Sequence, residues 1–487
     1  MIALGIDCGT QSLKTVALDG DSGQVLASAS RSYGLVEGLP SGHLEQDPQV
    51  WWDALGETVG EVLAALAARK KEVGAIGVSG QQHGFVPLDA KHDVIRAAKL
   101  WCDTSTAPQC DELREALGGR AAVIDLIGND ILPGFTAPKI LWLKQNEPDH
   151  FARLAHVALP HDYLNLRLTG VLRMEYGDAS GTALLDVRRR VWSDEVCTAI
   201  DPALREKLPS VGSSREPCGL LRPDLAAGWG LGEVVVSAGG GDNMMAAIGT
   251  GNIEPGGVTA SLGTSGTIFA CAAQPVVDPQ GEIAAFCDSN DHWLPLLCTM
   301  NVTVATELFR RLFGWDHEQL EREVAAVPPG CEGLIFLPYL QGERTPNLPD
   351  GCGVLHGMTT SNTTPAHFAR AAMEGVTLGM AYGLRRMESL GVNPGDIRLT
   401  GGGSQSAVWR QICADVFGSP VVTMQTAEGA ALGAAVQALA TAGPGWNADA
   451  LAARCAPVDE ASRACPSEQF DYGRLLERQS TLRDRIF

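Results

Sequence analysis

At 487 residues the chain exceeds what one hydrophobic core ordinarily holds, and about 100–200 residues per domain predicts two large domains or three small ones. A hydrophobic fraction of 45% with 19% charged residues excludes a disordered polypeptide. The formal charge of −20 argues against a nucleic-acid or acidic-membrane partner, whose recognition needs clustered Lys and Arg, but not against a nucleotide.

Backbone N–H groups and Mg²⁺ hold small phosphates without leaving a mark on net charge. The 13 cysteines are odd in number and form no C-x-x-C pair, so reduced thiols are expected rather than a disulfide framework or zinc cluster. Cys271, Cys298 and Cys413 sit in apolar runs and read as small core side chains. The chain opens directly on the strand-like Ile2-Ala3-Leu4-Gly5-Ile6, and no run reaches the ~18 apolar residues of a membrane span. A cytoplasmic protein is the expectation.

Residues 2–6 and 14–18 flank a Gly-Thr turn, and 24–29 follows an Asp-Ser-Gly turn, which predicts a β-meander. Asp47-Pro48 starts a helix over 47–69, and 73–79 forms a strand ending in Gly80-Gln81-Gln82-His83-Gly84. Alternation of strands and helices indicates an α/β fold with ligands at strand ends. A weak internal repeat organises the rest. Gly5-Ile6-Asp7-Cys8-Gly9-Thr10-Gln11-Ser12 is echoed by residues 258–267, again strand, Gly-Thr turn, strand. The predicted domains are therefore 1–248 and 249–487. From about 441 a Pro/Gly/Ala segment leads to an amphipathic helix around 467–484, expected to pack rather than react.

Walker, dinucleotide-fingerprint, zincin and nucleophile-elbow motifs are all absent from the sequence. What remains is a set of glycine loops. Asp7-Cys8-Gly9-Thr10 places a carboxylate at a strand end beside turn amides, which suits hydrated Mg²⁺ and phosphate oxygens, and equally suits an Asp capping its own turn. Leu262-Gly263-Thr264-Ser265-Gly266 is a second such hairpin, with Ser261 in the place of the acid; a plain tight turn is the alternative. Gly239-Gly240-Gly241-Asp242-Asn243 puts Asp242 at a helix start, where the helix N-terminus is expected to keep it ionised as a proton acceptor for phosphoryl transfer; an ordinary helix cap is the alternative. Gln82 and His83 carry amide and imidazole groups suited to sugar hydroxyls, although a loop histidine satisfied by its own neighbours fits as well. Thr400-Gly401-Gly402-Gly403-Ser404 ends another strand and could lie against an adenosine, or be simple turn chemistry.

In this order the pieces resemble the FGGY family of carbohydrate kinases, along almost the whole chain. Residues 134–146 are similar to the family's first signature and 353–374 to its second. The resemblance implies two ribonuclease-H-like domains, as in actin-like ATPases, with an active-site cleft between them. It also implies Asp242 as the proton acceptor and Asp7 as the acid near metal and phosphates. Gly9, Thr10 and Gln11, with Gly263 and Thr264, become the phosphate hairpins, and Gly401, Gly402, Gly403 and Ser404 the adenosine side. Within the family the 80–84 loop and the 339–346 segment resemble the xylulose-phosphorylating members, implying sugar contacts from Gln82, His83, Asp242 and Asn243.

Two departures bear on the substrate: such bacterial members often carry Met where Gln82 stands and His where Asn347 stands. The implied reaction is ATP- and Mg²⁺-dependent phosphorylation of a ketopentose, D-xylulose first. The alternatives are D-ribulose or another polyol and, in a different class, an actin-like ATPase without sugar transfer. Size and acidity are compatible with a homodimer.

Overall fold

The structure is a computed structural model and describes residues 1–426, 428–443, 447–467 and 469–487. Residues 444–446 of the predicted Pro/Gly/Ala segment and residue 468 of the predicted C-terminal helix lie outside the described residues.

Two seven-stranded sheets form the scaffold. In the first half, β1 (Ile2–Cys8), β2 (Ser12–Asp19) and β3 (Val25–Ser32) make the expected antiparallel meander. The helix after Asp47 is α1 (Pro48–Leu66), with Asp47 accepting from the Gln49 N–H and Pro48 in the first turn, where a missing N–H costs nothing. β4 (Val73–Gly80) pairs parallel with β1 in the centre of the sheet. β5 (Pro217–Leu220) and β6 (Val235–Ser237) complete the order β5-β6-β4-β1-β2-β3, and the short β7 (Gly240–Gly241) also pairs with β4. Between β4 and β5, α2 (Thr136–Asn146) and α3 (Pro160–Thr169) lie behind the 80–84 loop, and α4 (Asp242–Gly249) follows β7.

The second half repeats the plan. β8 (Val258–Leu262), β9 (Gly266–Ala270), β10 (Ala284–Cys287), β11 (Trp293–Thr299), β12 (Ile397–Thr400), β13 (Val421–Met424) and β14 (Val458–Ala464) are ordered β10-β11-β9-β8-β12-β13-β14. From β11 to β14 the pairings run antiparallel, antiparallel, parallel, parallel, antiparallel. From β3 to β5 the first sheet gives the same series. The faint sequence echo is thus a duplicated topology, with β1–β2 equivalent to β8–β9. Helices α5 (Thr303–Leu312), α6 (Pro365–Ser389), α7 (Ala407–Phe417) and α9 (Tyr472–Ile486) belong to this half.

Helix α8 (Gly429–Ala442) belongs to the second half by sequence but packs on the first sheet and on α4. The approach is close enough to require glycine. A Cβ on Gly5 or Gly77 would lie 2.0 or 2.1 Å from the Ala431 or Ala434 carbonyl oxygen, and one on Gly433 1.8 Å from the Met245 carbonyl oxygen. Around these contacts Ala3, Val16, Ala75, Met245, Ile248, Leu432 and Leu439 form one buried apolar cluster.

Candidate active site

Asp7 and Ser79 are register partners on β1 and β4, and Ser79 Oγ donates to Asp7 Oδ1 at 2.9 Å. Removal from water raises the Asp7 carboxyl above its ordinary range, against the hydrogen bond from Ser79 and the charge of Lys14. The turn after it is cross-braced by side chains. Gly9 donates its N–H to the Ser12 carbonyl and accepts from the Tyr33 hydroxyl at 2.6 Å. Thr10 Oγ1 donates to Gln81 Oε1 at 3.1 Å and accepts from Trp101 Nε1 at 2.9 Å, while Gln46 Nε2 donates to the Thr10 carbonyl. The Gly9 N–H, expected to be open to phosphate, is therefore spent inside the hairpin. Gln11, at the tip, is exposed.

Asp242 is the first residue of α4, with Gly241 as the cap, so the ordinary Asp-cap alternative does not apply. Each residue of the glycine run has its own steric reason. A Cβ on Gly239 (φ +76°) would lie 2.5 Å from the Val78 carbonyl oxygen, one on Gly240 2.2 Å from Ser289 Oγ, and one on Gly241 2.6 Å from Gln82 Cγ. Asp242 Oδ1 accepts from the Asn243 N–H at 2.8 Å and from Asn243 Nδ2 at 3.1 Å. Its carboxyl is pushed up to about 7, first by burial and then by the charges of Asp7 and Asp178. This corrects the expectation of a carboxylate held firmly ionised: desolvation and two like charges outweigh the helix N-terminus and the Asn243 bonds. A carboxyl near 7 is poised to take a proton at neutral pH.

Gln82 bridges to the same helix, its Oε1 accepting from Asn243 Nδ2 at 2.6 Å and its Nε2 donating to Met244 Sδ. His83 next to it has φ +60°, a strained choice for a residue with a side chain. Its carbonyl accepts from Lys139 Nζ at 2.8 Å and Thr136 Oγ1 at 3.1 Å, so α2 clamps it in place. Gly80 and Gly84 let the loop lie on the start of α3, where added Cβ atoms would meet His161 and Pro160 at 2.7 and 2.6 Å. The structure thus brings Asp7, Thr10, Gln82, His83, Asp242 and Asn243 onto one edge of the first sheet.

The second group gathers on the other sheet. The Gly263 and Thr264 carbonyls accept N–H groups from Thr303 and Val302 at the start of α5, leaving the Thr264 side chain exposed. Gly401 (φ +79°) presses against this hairpin, its added Cβ falling 2.7 Å from the Leu262 carbonyl, and Gly403 is buried against Leu262 and Trp409. Gly402 remains exposed. Ser404 is buried and donates Oγ to the Gly401 carbonyl at 2.7 Å, so its hydroxyl shapes the loop.

Sequence reading missed Gln46, Gln81 and Trp101, which brace the first hairpin, and Lys139, His161 and Asp178 behind His83. Of these, Gln81 lay in the 80–84 loop and Lys139 in the first signature, but neither was given a role there. Among the described residues, two clusters of ligand-type side chains lie elsewhere. His43, Glu45 and Asp103 surround a cation already present, Lys99 Nζ, at 3.3, 3.2 and 2.9 Å. In the cluster Cys271, Asp288 and His292, the Asp288 carboxylate accepts N–H groups of its own turn, from Asn290 and His292. For a divalent cation the better-fitting donors are at that edge of the first sheet, where Asp7 and Asp242 are carboxyls of like charge lifted by burial, a pair that a hydrated Mg²⁺ would relieve.

An acidic hairpin, a neutral hairpin and a poised carboxyl, set on duplicated sheets, define a two-lobed phosphotransferase of the actin-like kind. Residues 2–249 match the N-terminal domain, and 258–442 the C-terminal domain, of the FGGY family of carbohydrate kinases, and the chain belongs to that family. It is 41% identical to the xylulose kinase of Haemophilus influenzae over 495 residues, 99% of this chain and 100% of that protein. It is 36% identical to the xylulose kinase of Escherichia coli over 91% of this chain and 90% of the relative. Among solved structures, a xyloylose kinase from Brucella ovis superposes with a TM-score of 0.93 at 31% identity, covering 100% of this chain and 99% of that one. Among the described residues no helix is long and apolar enough to cross a membrane.

Proposed function

We propose that this carbohydrate kinase transfers the γ-phosphoryl group of ATP to D-xylulose, with Asp242 as the proton acceptor. One observation carries the assignment of the base: a carboxyl raised to about 7 at a helix start, beside the Gln82–His83 sugar loop and the Asp7 hairpin. Asp242 takes the proton of the sugar's terminal hydroxyl as its oxygen attacks in line, the remaining catalysis being positioning and charge stabilisation. Gln82, His83 and Asn243 orient the sugar hydroxyls. Gly9, Thr10 and Gln11, with Gly263 and Thr264, line the phosphates from two sides, Gly9 by the close approach its missing side chain allows rather than by its N–H, and Gly401, Gly402, Gly403 and Ser404 form the adenosine side. Asp7 would hold hydrated Mg²⁺, which supplies neutralisation of polyphosphate charge when bound.

Residues 1–248 then carry the sugar and the base, and 249–487 the nucleoside. Relatives at 41% and 36% identity that are xylulose kinases support D-xylulose over D-ribulose. Gln82, in the position where many relatives in the resemblance carry Met, is the residue to watch for a shifted preference. We also read the protein as a cytoplasmic enzyme, and a homodimer is checked by light scattering of the purified chain.

The test is ADP release with ATP and Mg²⁺ against D-xylulose, D-ribulose, L-ribulose, L-xylulose, glycerol, gluconate and no acceptor, for wild type and Asp242→Asn. D-xylulose should dominate, and the variant should lose at least about a thousandfold in kcat while still binding ATP. Equal ADP release without acceptor would mean an ATPase instead, and wild-type turnover in the variant would remove Asp242 from the role.

A further inference from the structure

Behind the sugar loop a line of buried acids and imidazoles runs back from His83, and its members Asp178, His161 and Asp162 have no part in sugar binding above. Asp178 Oδ1 accepts the backbone N–H of His83 at 3.2 Å and lies at the same 3.2 Å from His83 Nδ1. Asp178 Oδ2 lies 3.3 Å from His161 Nδ1, and His161 Nε2 lies 3.0 Å from Asp162 Oδ1. Asp162 is anchored in turn, its Oδ2 accepting the Leu159 N–H at 2.9 Å at the start of α3. Asp178, His161 and Asp162 are fully buried, and His83 is nearly so.

The charges along this line are decided by who faces whom. His161 has a carboxylate at each ring nitrogen, which holds it protonated, its pKa well above the ordinary value despite burial. Burial by itself would raise the Asp178 carboxyl, but His161 and His83 hold it down at about 2. His83 faces Asp178 on one side, Lys139 at its carbonyl and the more distant charge of Arg344 from the second half, and burial makes it hard to protonate. A neutral imidazole beside a fixed carboxylate keeps its proton on the nitrogen facing that carboxylate. The ring is also sterically set. Phe135 and Phe286 flank it at 5.0 and 5.3 Å between ring centres, and a Cβ on Gly181 would fall 1.9 Å from its Cε1.

We propose that Asp178 is the positioning residue for His83: locked by the His161–Asp162 pair, it fixes the left-handed backbone of His83 and keeps the ring proton on Nδ1, so that Nε2 presents a lone pair to a hydroxyl of the sugar. The proposal rests on the reading that His83 faces the sugar. It makes the specificity of the loop a property of four residues from three stretches of sequence: His83, the adjacent His161 and Asp162, and Asp178. An acceptor at Nε2 selects a substrate hydroxyl that can donate, in an orientation set by the carboxylate behind the ring.

The test uses the intact enzyme labelled with ¹⁵N in its histidine rings, the His83 signals being assigned by their loss in His83→Gln. In wild type the proton should sit on Nδ1, and the His83 signals should not titrate between pH 6 and 8; a proton on Nε2, or titration in that range, overturns the proposal without any variant at Asp178. In Asp178→Asn the D-xylulose KM should rise at least tenfold, the ATP KM should stay within twofold, and the ring-proton signature of His83 should change. A variant with unchanged sugar KM and unchanged ring signature refutes the positioning role. His83→Gln separates the two layers: if it leaves the sugar KM unaltered, His83 does not face the sugar, while the ring signature in Asp178→Asn still decides whether Asp178 sets the imidazole.

Discussion

The two Gly-Thr hairpins are the same object built twice and supported in opposite ways. β1–β2 is held by side chains: Tyr33 on Gly9, Gln81 and Trp101 on Thr10, Gln46 on the Thr10 carbonyl, Ser79 on Asp7. β8–β9 is held by backbone, with the first N–H groups of α5 on its carbonyls and the glycines of 401–403 packed against it. Where the first carries Asp7, the second carries Ser261, each the register partner of a residue on the adjoining parallel strand, Ser79 and Thr400. The two copies share a backbone path, and only the first carries a carboxylate at this position. Side-chain substitutions should therefore fall hardest on the first hairpin, and backbone substitutions on the second.

The largest effect expected is that of Asp7→Asn, with kcat falling at least about a hundredfold, while Ser261→Ala at the equivalent site changes it by less than about fivefold. Steady-state kinetics on the pair checks this, and equal losses would break the asymmetry. Next, Gly401→Ala forces a side chain onto a φ of +79° and into the Leu262 carbonyl, so it should raise the ATP KM about tenfold or more and leave the D-xylulose KM unchanged.

The acid of the first hairpin also sets a pH dependence. With Asp242 at about 7 and active only when ionised, kcat/KM should climb with pH through about 7. Because the Asp7 charge is part of what lifts Asp242, the acid limb of residual activity should move to lower pH in Asp7→Asn and stay in place in Ser261→Ala. The same shift affects folding. The carboxyl goes from 3.8 to about 7 in the fold, so the native state binds more protons and wild type loses stability as pH rises from about 4 through 7. Asp242→Asn escapes that loss and should melt higher than wild type at pH 8 but not at pH 4. The smallest effect separates the threonines. Thr10→Val strands Gln81 and Trp101 and should cost about 1 kcal/mol in denaturant unfolding, whereas Thr264→Val should stay within about 0.5 kcal/mol.

The strands and turns of both hairpins were legible in the sequence because each is local: period, glycine and turn residues lie within a few positions. The repeat was legible for the same reason, and so was the helix at Asp242 after its glycines. What the local pattern could not carry is partnership at long range. The Thr10 hydroxyl looked free for phosphate because Gln81 and Trp101, which hold it, are distant in sequence. Asp242 looked ionised because Asp7 and Asp178, which lift its pKa, are distant in sequence. Asp178 and His161 stand in stretches with no motif of their own, and only the packing of α3 and the 176–181 turn against the 80–84 loop gives them a purpose. Nor did the alanine-rich run 429–442 announce that it serves the opposite sheet.

That last helix has a consequence for how the molecule could be divided. A polypeptide cut near residue 250 would leave the first piece with a naked stripe of glycines and alanines where α8 belongs, and the second with a sticky helix and no sheet to receive it. Neither piece is a finished object. Made separately and mixed, they should find each other and regain shape together, since the stripe admits nothing bulkier than the helix it was cut from.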